Sequence, residues 1–328
     1  MTTIDMHVHL LNPNVKFDRF FDRVALKLFG KKFNFDLDEI KQNPYEGYKK
    51  AFINSLKNSR YVDKVVLLPV DSEYNEQGVE VHRDKTVCSL SEDVLEVYRE
   101  FPDLIIPFMS VNPRRKDAIE LLEYYKAQGC VGVKFLQNYW GVDLRDESLK
   151  PYYKKLVELD LPLIIHIGSE YSIKSDKRYE SWEMLTFPLE CGVRVIAAHV
   201  GVGDSNGGLF FWRNFSNNPK YFNKDYFQIL DLMKKYDNLY ADLSAILTIF
   251  KSRVLRDLST RGVEERLLFA TDYPVVFSTI FCSYDLSLSK RFWLNKIKNP
   301  YDRYIRTIFE YFPENSPIYT NYKKILKI

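Results

Sequence analysis

The stretch I-D-M-H-V-H at residues 4–9 holds two of the chain's five histidines, His7 and His9, with one residue between them. Successive side chains on a β-strand point to opposite faces, so residues at i and i+2 project to the same side. Two imidazoles placed in this way can share one metal ion. What the pair means depends on the sheet this strand joins, and that is read from what repeats after it.

Seven further short apolar runs rich in β-branched residues follow, at 62–70, 104–111, 130–136, 161–167, 193–199, 238–244 and 266–272. Between them lie amphipathic segments of helical period, at 46–59, 91–100, 115–128, 146–159, 180–191 and 225–236. Most runs are apolar nearly throughout, as strands of a parallel sheet covered on both faces are. Eight strand-helix units predict an α/β fold of the closed (β/α)8 barrel type, with residues 1–328 as a single domain. No G-x-G-x-x-G follows the first strand, so an open dinucleotide-binding sheet gains no support.

Two stretches exceed what a minimal barrel needs, and both follow a histidine-bearing strand. In the first, at 10–45, Phe17, Phe20, Phe21, Val24, Leu28 and Phe29 form one helical stripe closed by Gly30. This predicts a helix packed on the barrel. Asp18 and Asp22 dilute the charge of Lys27, Lys31 and Lys32, which argues against a membrane-surface helix. The second, at 201–224, begins G-V-G-D-S-N-G-G-L-F-F-W-R-N-F and predicts an irregular lid or substrate wall after strand six.

Composition narrows the partners. With 47 basic and 44 acidic residues the net charge is +3, far from the concentrated positive field that nucleic-acid binding uses. The 46% apolar residues fill a core without any run long enough to span a bilayer. Four scattered cysteines, with no C-x-x-C, form neither a disulfide framework nor a zinc knuckle. No charged leader opens the chain. These features point to a cytoplasmic protein with a small-molecule partner, without nucleic acid or membrane; a homodimer is left open.

The C-terminal ends of barrel strands form the mouth where catalytic groups gather. His7 and His9 end strand one, His166 ends strand five and His199 ends strand six, while His82 lies outside the set. Asp272, in F-A-T-D-Y-P, ends strand eight and therefore neighbours strand one across the closure. Four unrelated core histidines would not gather in this way. His7, His9, His166 and Asp272 are the candidate metal ligands, three imidazoles and a carboxylate.

The chain resembles the amidohydrolase superfamily, in its amidohydrolase-2 branch of decarboxylases, lactonases and metal-dependent hydrolases. The motifs are D-M-H-V-H, G-V-K-F, I-I-H-I-G, A-A-H-V-G, Y-A-D-L-S and L-L-F-A-T-D-Y-P, running to about residue 275, and the ending I-Y-T-N-Y-K-K-I-L is also similar. The resemblance implies one divalent metal ion on His7, His9, His166 and Asp272, with His199 beside it. It also implies that Lys134 stays an ordinary lysine at the strand-four end rather than a carboxylated bridge between two metals. Imidazole and carboxylate ligands suit Zn²⁺ first, with Mn²⁺, Fe²⁺ and Co²⁺ as alternatives.

Such a cation lowers the pKa of water toward ~7 and makes it a nucleophile. Asp272 is the candidate general base and later proton donor, and His199 the group that polarises a substrate carbonyl. The parts suit hydrolysis of an amide, ester or lactone, and equally a decarboxylation of an unsaturated or aromatic acid. A barrel that merely binds metal would not need the whole set. Candidate substrate-binding residues are Lys134, Tyr139, Arg178, Trp212 and Arg213, with Arg83, Trp140, Phe210 and Phe211 nearby in sequence. Asp5 and Asp242 are candidates for orienting the ligands, and Cys282 reads as a buried thiol.

Overall fold

In the computed structural model, which describes residues 2–14, 30–81, 89–170, 173–204 and 211–327, each apolar run contributes one strand. They are β1 (Ile4–His9), β2 (Lys64–Leu68), β3 (Ile105–Pro107), β4 (Val133–Phe135), β5 (Leu163–Ile165), β6 (Val195–Ala197), β7 (Leu239–Asp242) and β8 (Leu267–Leu268). Pairing among them is parallel and follows chain order in two groups, β1 to β3 and β4 to β8. Two seams join the groups. At the first, Met109 bridges Val133, Met109 N donates to Gly132 O (2.9 Å) and Lys134 N to Met109 O (2.8 Å). At the second, Val8 bridges Tyr273, and Met6 N, Asp272 N and His9 N donate to Phe269 O, His7 O and Tyr273 O at 3.0, 2.8 and 2.9 Å. The eight strands thus form a closed ring.

The helices fall close to where the periodicity predicts them: Pro44–Lys57, Ser91–Glu100, Ala118–Ala127, Lys150–Glu158, Thr186–Glu190 and Lys224–Lys235. The strands are shorter than their runs, three residues each for β3 to β6, because the ends of each run bend away into loops. The predicted helical stripe Phe17 to Phe29, with His82, Arg83 and Phe210, lies outside the described residues.

Alternation along the strands sorts side chains into two layers. Val65, Leu67, Val133, Phe135, Leu163, Ile165, Val195, Ala197, Leu239 and Ala241 join the core between sheet and helices. Their alternates Val66, Leu68, Ile106, Phe108, Ile164, Ile196, Tyr240, Leu268 and Ala270 form a separate cluster that fills the barrel. Tyr322 and Ile325 from the last described helix, Tyr322–Ile325, and Leu326 just after it join that inner cluster and plug one end. The inner rows continue by twos to the polar groups at the other end: Ile164 to His166, Tyr240 to Asp242, Ala270 to Asp272. In β1 the pairing register shifts between Asp5 and Val8. Ile4 and Met6 sit in the inner cluster while Val8 and Leu10 sit in the outer one, so the shift turns His7 and His9 inward.

Asp5 clips this irregular strand to its neighbour. Its buried carboxylate accepts from His7 N (3.1 Å), Thr271 N (2.9 Å) and Thr271 Oγ1 (2.6 Å), joining β1 to the residues just after β8. Removing it strands two buried backbone donors, each worth about 1–3 kcal/mol unsatisfied. Asp5→Ala is therefore expected to destabilise the fold by about 3–5 kcal/mol. Urea denaturation checks this, and a loss below about 1 kcal/mol would refute the clip.

Candidate active site

His7 is the hub of the mouth. Its Nδ1 lies 2.8 Å from Asp242 Oδ2 at the end of β7, and both groups are buried. The other oxygen of Asp242 accepts from His199 N (2.9 Å), Ser244 N (3.1 Å) and the Ser244 hydroxyl. A carboxylate surrounded by donors takes the His7 Nδ1 proton as a further one, which leaves His7 Nε2 with a bare lone pair. His9 is set in the same way, because its Nδ1 faces Leu68 O at 3.3 Å and a carbonyl can only accept.

Two unprotonated Nε2 atoms therefore face each other at 3.2 Å, and Asp272 Oδ1 stands 3.6 Å from both. Among the described residues these three side chains are the group whose ligand atoms converge for a metal ion, all within 4.8 Å of one another. Burial holds His7 and His9 neutral, pushing His9 down to about 3 with the positive charge of Lys134 adding to the effect. It pushes the Asp272 carboxyl up to about 7. Three electron-rich atoms held this close repel one another unless a cation lies between them, so the donor set fits a divalent ion.

His199 reaches the site by another route. Its neighbour Ala198 continues the inner row from Ile196, so strand alternation alone would turn His199 outward. Left-handed backbone at His199 (φ 60°) and Val200 (φ 51°) brings the ring inside, 5.5 Å from His7 and 5.0 Å from His166 between centroids. Its Nδ1 donates to Ser244 O at 2.9 Å, so in the neutral ring Nε2 is an acceptor. The expected role of a donor to a substrate carbonyl does not follow from that tautomer, and burial with the positive charge of Lys251 holds the ring neutral.

The structure places His166 beside the converging atoms and not among them. Its Nε2 faces Gly168 O at 3.1 Å and Glu170 Oε2 at 3.7 Å. Lys134, buried at β4, has its ammonium 3.5 Å from His7 Nε2. Tyr139 is buried in the turn Gln137–Trp140 that follows β4, and Trp140 Nε1 donates to Asp71 O.

The predicted arginines and Trp212 are not brought to the ligand group. Arg178 forms a two-nitrogen pair with Asp176 (Nη2 to Oδ2 2.6 Å) and its side chain is 76% exposed. Arg213 lies over the Tyr221 ring at 5.1 Å, and Trp212 is 58% exposed. Asp204 is exposed on the loop after β6, its N–H donating to Ser169 Oγ. Cys282 is buried as expected, burial pushing its thiol up to about 12. Ser244, Glu170 and Lys251 were missed by the sequence reading. The sequence shows Lys251 only as a lysine closing the largely apolar run I-L-T-I-F-K at 246–251, which does not tell where its ammonium goes.

A family model described as Amidohydrolase (Amidohydro_2) matches residues 4–286. The chain belongs to the amidohydrolase family. Solved structures agree on the fold of this amidohydrolase. An uncharacterised TIM-barrel protein from Bordetella bronchiseptica superposes with a TM-score of 0.59 at 16% identity, covering 100% of this chain and 96% of the other. A probable 2-pyrone-4,6-dicarboxylic acid hydrolase from Acinetobacter baumannii, with citric acid bound, gives 0.51 at 15%, covering 99% of each chain. A 5-carboxyvanillate decarboxylase from Novosphingobium aromaticivorans, with bound manganese, gives 0.50 at 12%, covering 94% and 96%. A search of curated protein sequences finds no match. Among the described residues no helix is long and apolar enough to cross a membrane.

Proposed function

We propose that this amidohydrolase is a metal-dependent hydrolase acting on an amide, ester or lactone of a small molecule. One observation carries the reading: His7 Nε2, His9 Nε2 and Asp272 Oδ1 converge with their lone pairs exposed to one another. His7, His9 and Asp272 would hold the ion. A divalent cation there supplies Lewis acidity and renders water nucleophilic near neutral pH. Zn²⁺ is our first assignment from the ligand types, and Mn²⁺ the alternative that the Novosphingobium decarboxylase suggests.

The chain's own groups then handle protons and charge. Asp272, held near neutral pH by burial, takes a proton at its second oxygen, Oδ2, and returns it to a leaving group. That oxygen lies on the His199 side of the site, 3.9 Å from Nδ1, whose own proton is committed to Ser244 O. Asp242 keeps His7 in the tautomer that leaves Nε2 available, and raises its basicity. Lys134 at the floor of the mouth opposes the negative charge that develops during acyl transfer.

A second reading, decarboxylation, has its own support in the fold shared with the Novosphingobium decarboxylase. The two readings separate in one experiment. Metal-reconstituted protein is screened against lactones, amides and aromatic carboxylates, scoring proton release against CO₂ release and water incorporation. The proposal expects water incorporated into product; CO₂ release without it would sink the hydrolase reading.

A further inference from the structure

Apart from Lys134 at the ligand group, the buried cations among the described residues divide into two kinds. Arg253 donates to Gly203 O (2.7 Å) and Asn214 Oδ1 (2.8 Å), Arg291 to Ile280 O (2.8 Å), and Arg303 to Lys32 O (2.7 Å) and Ile297 O (3.0 Å). These three tie loops together. Lys251 does not. It is 6% exposed, yet among the described residues no acceptor lies within hydrogen-bond or ion-pair distance of its ammonium. Nor is that nitrogen one of the sealed polar atoms that lack partners, so it opens onto space that water reaches.

The backbone around Lys251 is pinned from both sides. Ser252 Oγ accepts from Ser283 N (3.1 Å) in the loop after β8, and Arg253 holds Gly203 and Asn214 in the loop after β6. The charges acting on the ammonium are those of Asp272, Glu170, Asp242 and Glu180, and its own charge is felt by His7, His166 and His199. Lys251 follows β7 and is flanked by residues tied to the loops after β6 and β8, all of which leave the C-terminal ends of their strands, so it stands in the same mouth as the ligand group. Burying an ammonium without a partner opposes folding, and a barrel has no structural use for it. Such a group at a site is kept for a partner that arrives from outside.

We propose that Lys251 reads a carboxylate of the substrate, pairing with it through Nζ while the reacting group lies at His7, His9 and Asp272. The substrate class is a small organic acid. This rests on the proposed function for the site, and it gives Lys251 the role that Arg178 and Arg213 were expected to fill. A monoanion suits the position better than a phosphate dianion, because Asp272, Glu170 and Asp242 already bring negative charge to the mouth.

The test uses matched pairs that differ in charge alone: benzoate and benzamide, salicylate and salicylamide, glutarate and glutaramide. Binding is measured by titration calorimetry on metal-loaded and on metal-free protein. At least one acid should bind the native chain about 10- to 100-fold more tightly than its amide. Lys251→Met should bring that acid down to the level of its amide, and Lys251→Arg should restore most of the preference, with thermal melts confirming that both variants fold. A merely structural lysine would move acid and amide together. The proposal is overturned if no acid is preferred by the native chain, or if Lys251→Met keeps the preference. Metal content and turnover are scored separately. An inactive or metal-free protein that still shows a Lys251-dependent preference defeats the hydrolase reading alone, and an active enzyme without it defeats this one alone.

Discussion

Asp272→Asn is expected to lower turnover by about 10²- to 10⁴-fold while leaving metal bound. Asparagine has the same shape, and its amide oxygen can still face His7 Nε2 and His9 Nε2, where Asp272 Oδ1 stands 3.6 Å from each. The main chain is also suited to the change. Asp272 has a left-handed backbone, φ 65°, which asparagine adopts about as readily as aspartate. Its N–H bond to His7 O (2.8 Å) and its carbonyl bond from Val275 N (2.7 Å) do not involve the side chain. What disappears is the negative charge and the ability to accept a proton. The measurement pairs elemental analysis of the purified variant with single-turnover kinetics on a substrate from the screen. Turnover within about threefold of native, with metal bound, would remove Asp272 from proton transfer.

The contrast between Asp272 and His199 shows what strand patterning can and cannot carry. Asp272, His166 and Asp242 stand two residues beyond inner-row side chains, so alternation alone points them into the mouth. The eight runs and the barrel were legible for the same reason, since burial on both faces leaves an apolar signature in the sequence itself. His199 breaks the alternation and enters only because two consecutive non-glycine residues take left-handed backbone, which the A-A-H-V-G motif does not signal to a pattern argument. The register shift that turns His7 and His9 inward is equally silent.

Charge readers were the least legible part. Arg178 was a candidate because of its place after strand five, yet D-K-R at 176–178 already contains the partner that holds it at the surface. Local pairing of that kind competes with any distant role and can be read from spacing. Lys251 has no such local partner, and its position depends on two loops from other parts of the chain, after β6 and after β8. A contact fixed by residues so far apart in sequence leaves no periodic trace.

His9→Ala is expected to release the metal and abolish turnover at ordinary metal concentrations without unfolding the protein. His9 is the more accessible of the two histidines on β1, with its side chain 18% exposed against 1% for His7. Its Nδ1 bond to Leu68 O is long, 3.3 Å, and its carbonyl, which accepts from the Tyr48 hydroxyl, survives in alanine. The fold therefore loses little, whereas the converging group falls from three ligand atoms to two. Outer-sphere losses weaken metal binding by about 10- to 100-fold, so direct loss of a ligand is expected to exceed about 100-fold. Equilibrium dialysis followed by elemental analysis reads this directly. The sign of the rescue separates the two variants: raising the metal concentration should return activity to His9→Ala, because its proton-transfer group is intact, and should return none to Asp272→Asn. Unchanged metal affinity in His9→Ala would mean that the face-to-face Nε2 pair is not where the ion sits.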